Sequence, residues 1–266
     1  MSKLQNKVIW ITGASSGIGK ELALQLSSKN NQLILSARNK EALIELQSEV
    51  EKRGASAFIL PIDLADSAQF DSKAKEAIAA FGKVDVLINN GGISQRSYAA
   101  ETPLAVDRTI MEVNFFGTVA LTKAVLPYMI EKKSGQIAVI SSLSGKFGWP
   151  ERSAYAASKH ALQGFFETLG IELKASNIGV TIISPGRVNT PISMNALTKD
   201  GTAHGKYDKG QQNGVPVEKC ASKIISALEQ GKHELIIAKE ERIIYWIHNL
   251  SKRLYFSLAS KVNPNA

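Results

Sequence analysis

The sequence predicts an α/β fold, a doubly wound parallel sheet of about seven strands flanked by helices and forming a single domain. Two observations carry this prediction. Short runs of β-branched and aliphatic residues recur along the chain, and they are apolar almost throughout, as strands buried on both faces should be. Longer stretches with helical periodicity lie between them, and this alternation is typical of a parallel sheet with right-handed crossovers.

Seven apolar runs are predicted as strands, at 7–12, 32–37, 56–61, 84–90, 135–142, 179–185 and 233–238. Helices are predicted around 17–28, 40–53, 67–80, 104–131, 153–175 and 217–230. The polar, glycine-rich segment 191–216 interrupts the alternation, and a loop of that length in a compact domain is usually functional or disordered. We interpret it as a substrate lid rather than a mobile insertion. The last stretch, 240–260, is predicted as one amphipathic helix.

The composition favours a single globular domain. The chain has 266 residues, of which 44% are apolar and 21% charged, values that suit one large core and argue against wholesale disorder. The net charge of +8 fits a basic solvated surface, an anionic cofactor or an anionic membrane surface. Nucleic acid is not expected as a partner, because the lysines and arginines are dispersed rather than gathered in a block.

Compartment is inferred from cysteine usage and from the first residues. Cys220 is the single cysteine, so no intramolecular disulfide can form, as in reducing compartments. We expect it to be a buried small residue rather than a nucleophile. The opening "MSKLQNKVIWITG" has no apolar stretch long enough for a signal peptide or a membrane span. A soluble, cytoplasmic protein without a metal site is expected.

The first predicted strand is followed by a glycine turn and a helix, in "VIWITGASSGIGK". Gly13, Gly17 and Gly19 permit a tight turn and close approach of the backbone to a ligand. The helix that follows offers unpaired N–H groups and the positive end of its dipole, which suit a pyrophosphate. Such glycines can serve packing alone, but their position after the first strand favours dinucleotide binding.

The end of the second strand, "LILSARNK", bears on which dinucleotide binds. The residue about 20 positions beyond the glycines meets the ribose in such folds, and an acid there selects NAD. This stretch has Ser36 and Arg38 and no acid. A guanidinium can grip a 2′-phosphate in a bidentate manner, so NADP(H) is the predicted cofactor. Arg38 could also be an ordinary surface arginine.

Two tyrosines precede a lysine by four residues, Tyr155 with Lys159 and Tyr128 with Lys132. Only Tyr155 has a serine, Ser142, thirteen residues earlier at the end of a predicted strand. Ligands bind at the carboxyl ends of parallel strands. Ser142 is therefore expected to face a cofactor, with Tyr155 coming back over it. Tyr128 is interpreted as a helix-packing residue.

These three residue types suit proton transfer at a carbonyl or alcohol oxygen. A tyrosine with a pKa near 10 is a poor base at neutral pH. Lys159, one helical turn from Tyr155, lies on the same helix face. At about 4 Å and an effective dielectric constant near 20, its charge would favour the phenolate by about 4 kcal/mol, or roughly three pKa units.

Taken together, these motifs resemble the short-chain dehydrogenase/reductase family over nearly the whole chain, from Lys7 to about Ser260. "TGASSGIG", "NNGG", "MEVNFFGT" and "SPGRVNTPI" are similar to its cofactor and active-site motifs. The resemblance implies a Rossmann-type sheet. Gly91 stands where alanine is usual, a difference expected only to loosen packing.

The resemblance also implies roles for individual residues. The implied catalytic residues are Asn114, Ser142, Tyr155 and Lys159, with Asn114 holding a water in a proton relay. Tyr155 and Lys159 would also contact the cofactor, Asp63 would contact its adenine, and Thr190 its nicotinamide amide or diphosphate. The remaining implied cofactor-binding residues are Gly13, Ser15, Ser16, Gly17, Ile18, Gly19, Arg38, Leu64, Asn90, Gly91, Pro185, Gly186 and Val188.

Two longer segments, "RSAYAASKHALQGFFETL" and "SMNALTKDGTAHGKYD", resemble the dehydrogenase/reductase member-7 branch of this family. That likeness implies an NADPH-linked enzyme that reduces an apolar or lipid-like ketone or aldehyde. Members of the branch are often membrane-associated, and those of animals carry an N-terminal membrane anchor. We expect no such anchor in this chain, which argues against membrane attachment.

Three alternatives remain open, namely a 3-oxoacyl reductase of lipid metabolism, a nucleotide-sugar epimerase and a non-catalytic NADP-binding sensor. A homodimer or homotetramer is implied, formed by pairing of the helices near 104–131 and 153–175. Phe147 and Trp149 are expected either to line an apolar substrate pocket or to pack a loop.

The predicted tail helix combines an apolar stripe with aromatic and basic residues. The stripe comprises Ile243, Ile247, Leu250, Leu254 and Leu258. Trp246, Tyr255 and Phe256 widen it, and Lys252 and Arg253 add basic residues. Helices of this composition can lie in a membrane interface. The stripe could instead pack on the domain or a second subunit, or close over the substrate together with residues 191–216.

Overall fold

The computed structural model describes residues 3–262 of the chain. Its centre is a seven-stranded sheet in the order β3-β2-β1-β4-β5-β6-β7, with every neighbouring pair parallel. The strands are β1 Val8–Thr12, β2 Gln32–Ser36, β3 Ser56–Ile59, β4 Val86–Asn89, β5 Gly135–Ile140, β6 Ile178–Pro185 and β7 Glu234–Ile237. The predicted doubly wound sheet is confirmed, and its order reverses between β1 and β4, the place where such folds bind ligands.

Helices cover both faces of the sheet. They are α1 Gly17–Ser27, α2 Lys40–Glu51, α3 Phe70–Phe81, α4 Leu104–Met111, α5 Gly117–Glu131, α6 Ser153–Glu172, α7 Lys209–Gln212, α8 Val217–Glu229, α9 Glu241–Leu250 and α10 Lys252–Ala259. The helix predicted at 104–131 is interrupted, because residues Glu112–Phe116 form a π-helical turn between α4 and α5.

Two apolar clusters hold the helices to the sheet, one on each face. On one face α1, α2 and α8 bury residues such as Leu22, Leu43 and Ile224 against the strands. On the other face Val125 and Phe166, from α5 and α6, belong to a second cluster. Burial on both faces explains why the strands read as continuous apolar runs in the sequence.

Two predictions about single residues and segments can be checked against this core. Cys220 is fully buried, and burial raises the pKa of its thiol to about 12, as expected for a small packing residue.

The helical stretch Leu104–Glu131 is long and apolar enough to cross a membrane by length and composition. It nevertheless contributes Leu121 and Val125, both fully buried, to the core of the domain.

Segment 191–216 is tied to the body of the domain. It contains a short 3-10 turn at Pro191–Ser193 and the four-residue helix α7. Leu197 forms a bridge with Gln95, and its carbonyl accepts from Arg96 N at 2.8 Å. Ser193 and Ala196 are fully buried. The segment therefore folds back over the carboxyl ends of the strands rather than extending into solvent.

The prediction of one helix over 240–260 is wrong. Ser251 adopts an extended conformation (φ −150°, ψ 103°), and its side chain accepts from Leu254 N, so that it caps α10 and ends α9. The break divides the predicted stripe. Ile244, Tyr245, Ile247, Tyr255 and Ala259 pack against Leu143, Phe147 and Trp149, whereas six apolar side chains stay exposed, Ile243, Trp246, Leu250, Leu254, Phe256 and Leu258.

Candidate active site

A cavity of about 1000 Å³ opens at the carboxyl ends of the strands. It is lined by most of the residues that the sequence singles out. These are Gly13, Ser15, Ser16, Gly17, Ile18, Arg38, Asp63, Leu64, Asn90, Gly91, Ser142, Tyr155, Lys159, Pro185, Gly186, Val188 and Thr190. Gly19 and Asn114 lie behind the wall, among its supporting residues. Tyr128, on α5, is partly buried and packs against the core cluster, and Lys132 donates to the carbonyl of Gly82 at 3.1 Å.

The glycine turn after β1 is built of backbone in close contact. Gly13 has φ +63°, and a Cβ added there would lie 2.8 Å from Gly91 Cα. A Cβ at Gly19 would lie 2.3 Å from the carbonyl oxygen of Gly13, so any side chain would push the turn away from α1. Ser16 caps α1 without a side-chain hydrogen bond, which leaves the first N–H groups of the helix available to an anion.

A threonine and an asparagine join this turn to the end of β4. Thr12 Oγ1 accepts from Asn90 N at 3.0 Å and from Gly91 N at 2.9 Å. The Asn90 side chain donates to the carbonyls of Thr12 and Gly13, at 3.0 and 3.2 Å. Asn90 therefore positions the turn as well as lining the cavity.

The absence of a side chain at Gly91 leaves no gap. A Cβ there would lie 2.6 Å from Leu64 Cδ1, so the leucine side chain fills the space. The expectation that this glycine loosens packing is wrong. It could not be read from the sequence, because the compensating residue comes from the loop after β3.

Arg38 lies at the far end of the cavity beside Asn39 and Ala42. It is exposed and pairs with no carboxylate in residues 3–262. Ser36 is fully buried, and its hydroxyl accepts from Trp10 Nε1 at 2.8 Å. Ser36 is thus a core residue, and Arg38 is the group at this end that can meet an anion.

Ser142 and Tyr155 meet at the other end of the cavity. Ser142 Oγ accepts from Ser144 N at 3.1 Å and donates to the carbonyl of Pro185 at 3.4 Å. Tyr155 is buried, and burial raises the pKa of its hydroxyl, whereas a hydrogen bond with Ser142 and the charges of Arg152 and Arg96 lower it. Two hydroxyl groups are thus side by side where a carbonyl or alcohol oxygen could accept from both.

Lys159 is buried behind Tyr155. Its Nζ donates to the carbonyl of Ile140 at 2.8 Å and lies 5.8 Å from the centroid of the Tyr155 ring. The ammonium is thus directed to the end of β5. Burial lowers the pKa of Lys159 to about 8, and the cations that act on the tyrosine are Arg152 and Arg96.

Asn114 lies within the π-helical turn and is fully buried. Its Oδ1 accepts from Ile93 N at 2.8 Å, and its Nδ2 donates to Ile93 O at 2.9 Å and to Ser158 Oγ at 3.0 Å. A Cβ at Gly92 would lie 2.9 Å from Asn114 Oδ1 and 3.5 Å from Lys159 Nζ. Gly92 thus permits Asn114 and Lys159 to approach the same stretch of backbone.

The segment after β6 closes the cavity from above. A Cβ added at Gly17 would lie 3.2 Å from Thr190 Cβ, which places Thr190 over the glycine turn. Contact of Thr190 with the nicotinamide amide or with the diphosphate stays a prediction. Phe147 and Trp149 line the cavity. The centroids of their rings are 6.2 Å apart, and the ring centroid of Phe147 also lies 5.8 Å from that of Tyr255. Both alternatives for these aromatic residues, cavity lining and loop packing, are therefore found.

Sequence reasoning missed a charged cluster at the substrate end. Arg96, Arg152 and Asp208 all line the cavity, and Asp208 Oδ2 accepts from Arg96 Nε at 2.9 Å. Gln95 Oε1 accepts from the backbone N–H groups of Ala154 and Tyr155, at 2.9 and 3.2 Å, and so holds the start of α6. One signal was available, since Arg152 precedes Tyr155 by one helical turn.

Comparison with known proteins places this architecture in a family. Residues 7–201 match the model of the short chain dehydrogenase family. The chain is 42% identical to the Dehydrogenase/reductase SDR family protein 7-like of Anopheles gambiae, covering 97% of this chain and 83% of that protein. It is also 42% identical to the Dehydrogenase/reductase SDR family member 7B of Mus musculus, covering 96% of this chain and 80% of that protein.

Solved structures share the whole fold. A short-chain dehydrogenase from Streptomyces avermitilis superposes with a TM-score of 0.80 at 30% identity, covering 97% of each chain. A short chain dehydrogenase/reductase from Burkholderia phymatum, solved in complex with NAD, gives a TM-score of 0.85 at 22% identity over 100% of each chain. With the family model and relatives at about 40% identity in agreement, the chain belongs to the short-chain dehydrogenase/reductase family and matches its member-7 proteins.

Proposed function

We propose that this protein is an NADPH-dependent reductase that converts a ketone or aldehyde to an alcohol. The observation that carries the proposal is the pair of hydroxyls of the half-buried Ser142 and the buried Tyr155. They line the same cavity as the glycine turn and the start of α1, where the helix lacks a side-chain cap. Tyr155 can both orient an oxygen and exchange a proton with it, as general acid–base chemistry requires.

The residues of the cavity fit a nicotinamide dinucleotide. The glycine turn and the free N–H groups of α1 suit its pyrophosphate, and Asp63 and Leu64 line the adenine end. Arg38, with no carboxylate partner in the described chain, supports the phosphorylated form, because a 2′-phosphate would supply its missing anion. When bound, the reduced cofactor supplies the hydride.

Each polar residue then has a defined task. Ser142 donates to the substrate oxygen and orients it, and Tyr155 Oη delivers the proton to that oxygen. The charges of Arg152 and Arg96 favour the phenolate that remains. Lys159 and Asn114 lie on the inner side of Tyr155, where they can hold the cofactor ribose and a relay water.

An apolar substrate body is supported by the opposite wall. Leu143, Phe147, Trp149, Ile244 and Val262 line the cavity there. Residues 191–216 and the tail both contribute to this wall, so we propose that they act together as the cover over the substrate.

The test is consumption of NADPH by the purified protein with a panel of aliphatic, aromatic and steroid ketones, followed by absorbance. Turnover with at least one ketone supports a reductase. A tight NADPH complex without turnover on any member would favour the cofactor-sensing alternative. Turnover restricted to 3-oxoacyl thioesters would favour the 3-oxoacyl reductase.

Assembly and localisation are part of the proposal. The long helices carry exposed apolar side chains, Phe116 and Ile130 at α5 and Ile171 at α6, which support a homodimer or homotetramer formed through them. Sedimentation velocity of the wild type and of Phe116→Ser would show the expected loss of the oligomer. We place the protein in the cytoplasm, with peripheral contact to membranes.

The membrane contact would use the exposed face of the tail, formed by Ile243, Trp246, Leu250, Leu254, Phe256 and Leu258. Arg242, Lys252, Arg253 and Lys261 are exposed on the same two helices or directly after them. Apolar and aromatic side chains with adjacent cations suit an anionic lipid surface.

Co-sedimentation with phosphatidylserine vesicles at low salt tests this contact. The wild type should bind, the double variant Trp246→Ser/Phe256→Ser should bind much less, and Ile44→Ser should bind as the wild type. Ile44 is a matched control because it is 48% exposed on α2, which belongs neither to the tail nor to the helices proposed to pair. A wild type that stays in the supernatant while the double variant loses its oligomeric state would instead assign the face to a second subunit.

A further inference from the structure

Two arginines lie inside the substrate end of the cavity. Arg96 follows β4, and Arg152 immediately precedes α6, three residues before Tyr155. Their side chains are 5% and 14% exposed, which is unusual for arginines, since such residues are almost never buried without partners. Both line the same cavity as Ser142 and Tyr155.

The two arginines differ in the hydrogen bonds that their guanidinium groups make. Arg96 donates through Nε to Asp208 at 2.9 Å, and through Nη1 to Ser94 Oγ at 2.9 Å and Gln95 O at 2.7 Å. Arg152 has only long ion contacts, from Nη2 to Asp208 at 3.7 Å and from Nη1 to Glu151 at 4.0 Å. Within residues 3–262 its buried Nη1 has no hydrogen-bond acceptor.

An unsatisfied buried guanidinium is costly, and native structures usually explain each such group by a ligand, an ion or water. Burial and, next to it, the neighbouring charge of Arg96 lower the pKa of Arg152 to about 10, against the opposing effect of Asp208. Asp208 is shared, because it is hydrogen-bonded to Arg96 and stands farther from Arg152. The cation that lacks a hydrogen-bonded anion is therefore Arg152.

We propose that Arg152 binds an anionic group, a carboxylate or a phosphate, carried by the carbonyl substrate. The inference rests on the proposed reductase function and adds a substrate class to it, that of a ketone or aldehyde with an acidic group and an apolar body. The acidic group would meet Arg152, a residue suited to bidentate recognition of planar or tetrahedral anions. The apolar body would lie along Leu143, Phe147 and Trp149.

The experiment compares substrates that differ in charge alone. One pair is a medium-chain keto acid and its methyl ester, and the other is a medium-chain hydroxyketone phosphate and the parent hydroxyketone. The wild type should prefer the charged member of at least one pair by about tenfold to a hundredfold in kcat/KM, the usual range for a hydrogen bond to a charged group. The two pairs show whether the anion is a carboxylate or a phosphate.

Arg152→Gln should slow both ketones, because the charge of Arg152 favours the phenolate of Tyr155, and it should also raise KM for the charged ketone alone, so that the preference is abolished. Arg152→Lys should restore part of the preference, because the charge returns without the planar fork. Arg53→Gln, which removes one exposed charge far from the cavity, should change neither. If Arg152→Gln slows the neutral and charged ketones equally, Arg152 only positions Tyr155 and the proposal is overturned.

Binding without turnover separates this inference from the proposed function. The keto acid or the hydroxyketone phosphate should raise the Tm of the wild type in the absence of cofactor, and should not raise that of Arg152→Gln. Such a shift without turnover of any ketone would sink the reductase and keep the anion site. Turnover of neutral and charged ketones at equal rates, with no shift, would keep the reductase and overturn the anion site.

Discussion

The two ends of the cavity differ in whether backbone or side chains form their walls. The wall of the cofactor end is mainly backbone. The glycine turn and the start of α1 are in close contact there, and hydrogen bonds between Thr12 and Asn90 join the turn to the end of β4. The substrate end consists of side chains from segments outside the sheet. It combines arginines, an aspartate and aromatic rings with residues 191–216 and the tail.

This difference separates two properties of the protein. A wall of close-packed backbone has little freedom to change, so the cofactor end fixes the kind of reaction. A wall of side chains on connecting segments can be altered without disturbing the sheet, so the substrate end would fix which substrate is accepted. Substitutions in the two walls should therefore impair different properties of the protein.

Tyr155 stands where the two walls meet, and its loss should have the largest effect. In the proposed mechanism Tyr155→Phe removes the proton donor, and it should then lower kcat by about 10²–10⁴, the usual contribution of general acid–base catalysis. Steady-state kinetics with NADPH and a ketone measures the change.

Tyr128→Phe is the matched control, because Tyr128 also precedes a lysine by four residues but lies on α5, where it packs against the core cluster. Its kcat should stay within about twofold of the wild type. Near-normal turnover by the Tyr155→Phe protein would remove the tyrosine from the mechanism.

Arg38 tests the cofactor wall at its exposed end. Arg38→Ala should weaken NADPH binding by about tenfold to over a hundredfold through loss of a charge-assisted phosphate contact, and should leave NADH binding nearly unchanged. Fluorescence titration with the two cofactors measures both affinities. A wild type that already prefers NADH would contradict the assignment of Arg38.

Two glycines on the same wall allow a sharper comparison. Gly19→Ala would place a Cβ 2.3 Å from a backbone oxygen, whereas Gly91→Ala would meet the movable end of Leu64 at 2.6 Å. We expect Gly19→Ala to lower the free energy of unfolding by about 1–3 kcal/mol and Gly91→Ala by less, because backbone yields less readily than a side chain. Equal losses in urea denaturation would show that the wall is not rigid.

The smallest effect is expected from pH. Burial lowers the pKa of Lys159 to about 8, so the residue is charged below that pH and neutral above it. Burial also raises the pKa of Tyr155, which keeps the tyrosine protonated in the same range. A fall in kcat/KM of up to about tenfold by pH 9 would therefore report Lys159 alone.

Lys159→Arg provides the control for this profile, since a guanidinium keeps its charge throughout the range. Its overall rate should be lower, but its kcat/KM should stay flat between pH 7 and about 9.5. A fall that persists in this variant would assign the titration to another group.

Local patterns in the sequence were sufficient for the sheet. All seven predicted strands are present, with ends that differ by a few residues, because each is a continuous apolar run buried on both faces. The tail failed for the same kind of reason. The apolar spacing of the tail continues on both sides of Ser251. This spacing does not indicate that the serine caps α10 and ends α9.

The candidate site was predictable where one segment carries the information and not where distant segments meet. The glycine turn, Ser142 and Tyr155 each belong to a recognisable local motif. Arg96 and Asp208 are 112 residues apart, so no periodicity connects them. The contact of Lys159 with Ile140 O also depends on how α6 lies over β5, which spacing along the helix does not determine.

The π-helical turn at Glu112–Phe116 has a consequence for how this site can change over evolutionary time. Such a turn holds one residue more than an α-helix of equal span. Deleting a single residue there would rotate one part of the helix by about 100° against the other. Asn114 would then leave Ile93 and Ser158 although no contact residue had been replaced. The position of the Asn114 amide thus depends on the number of residues in this turn. An insertion or deletion there would displace the amide more directly than a substitution would.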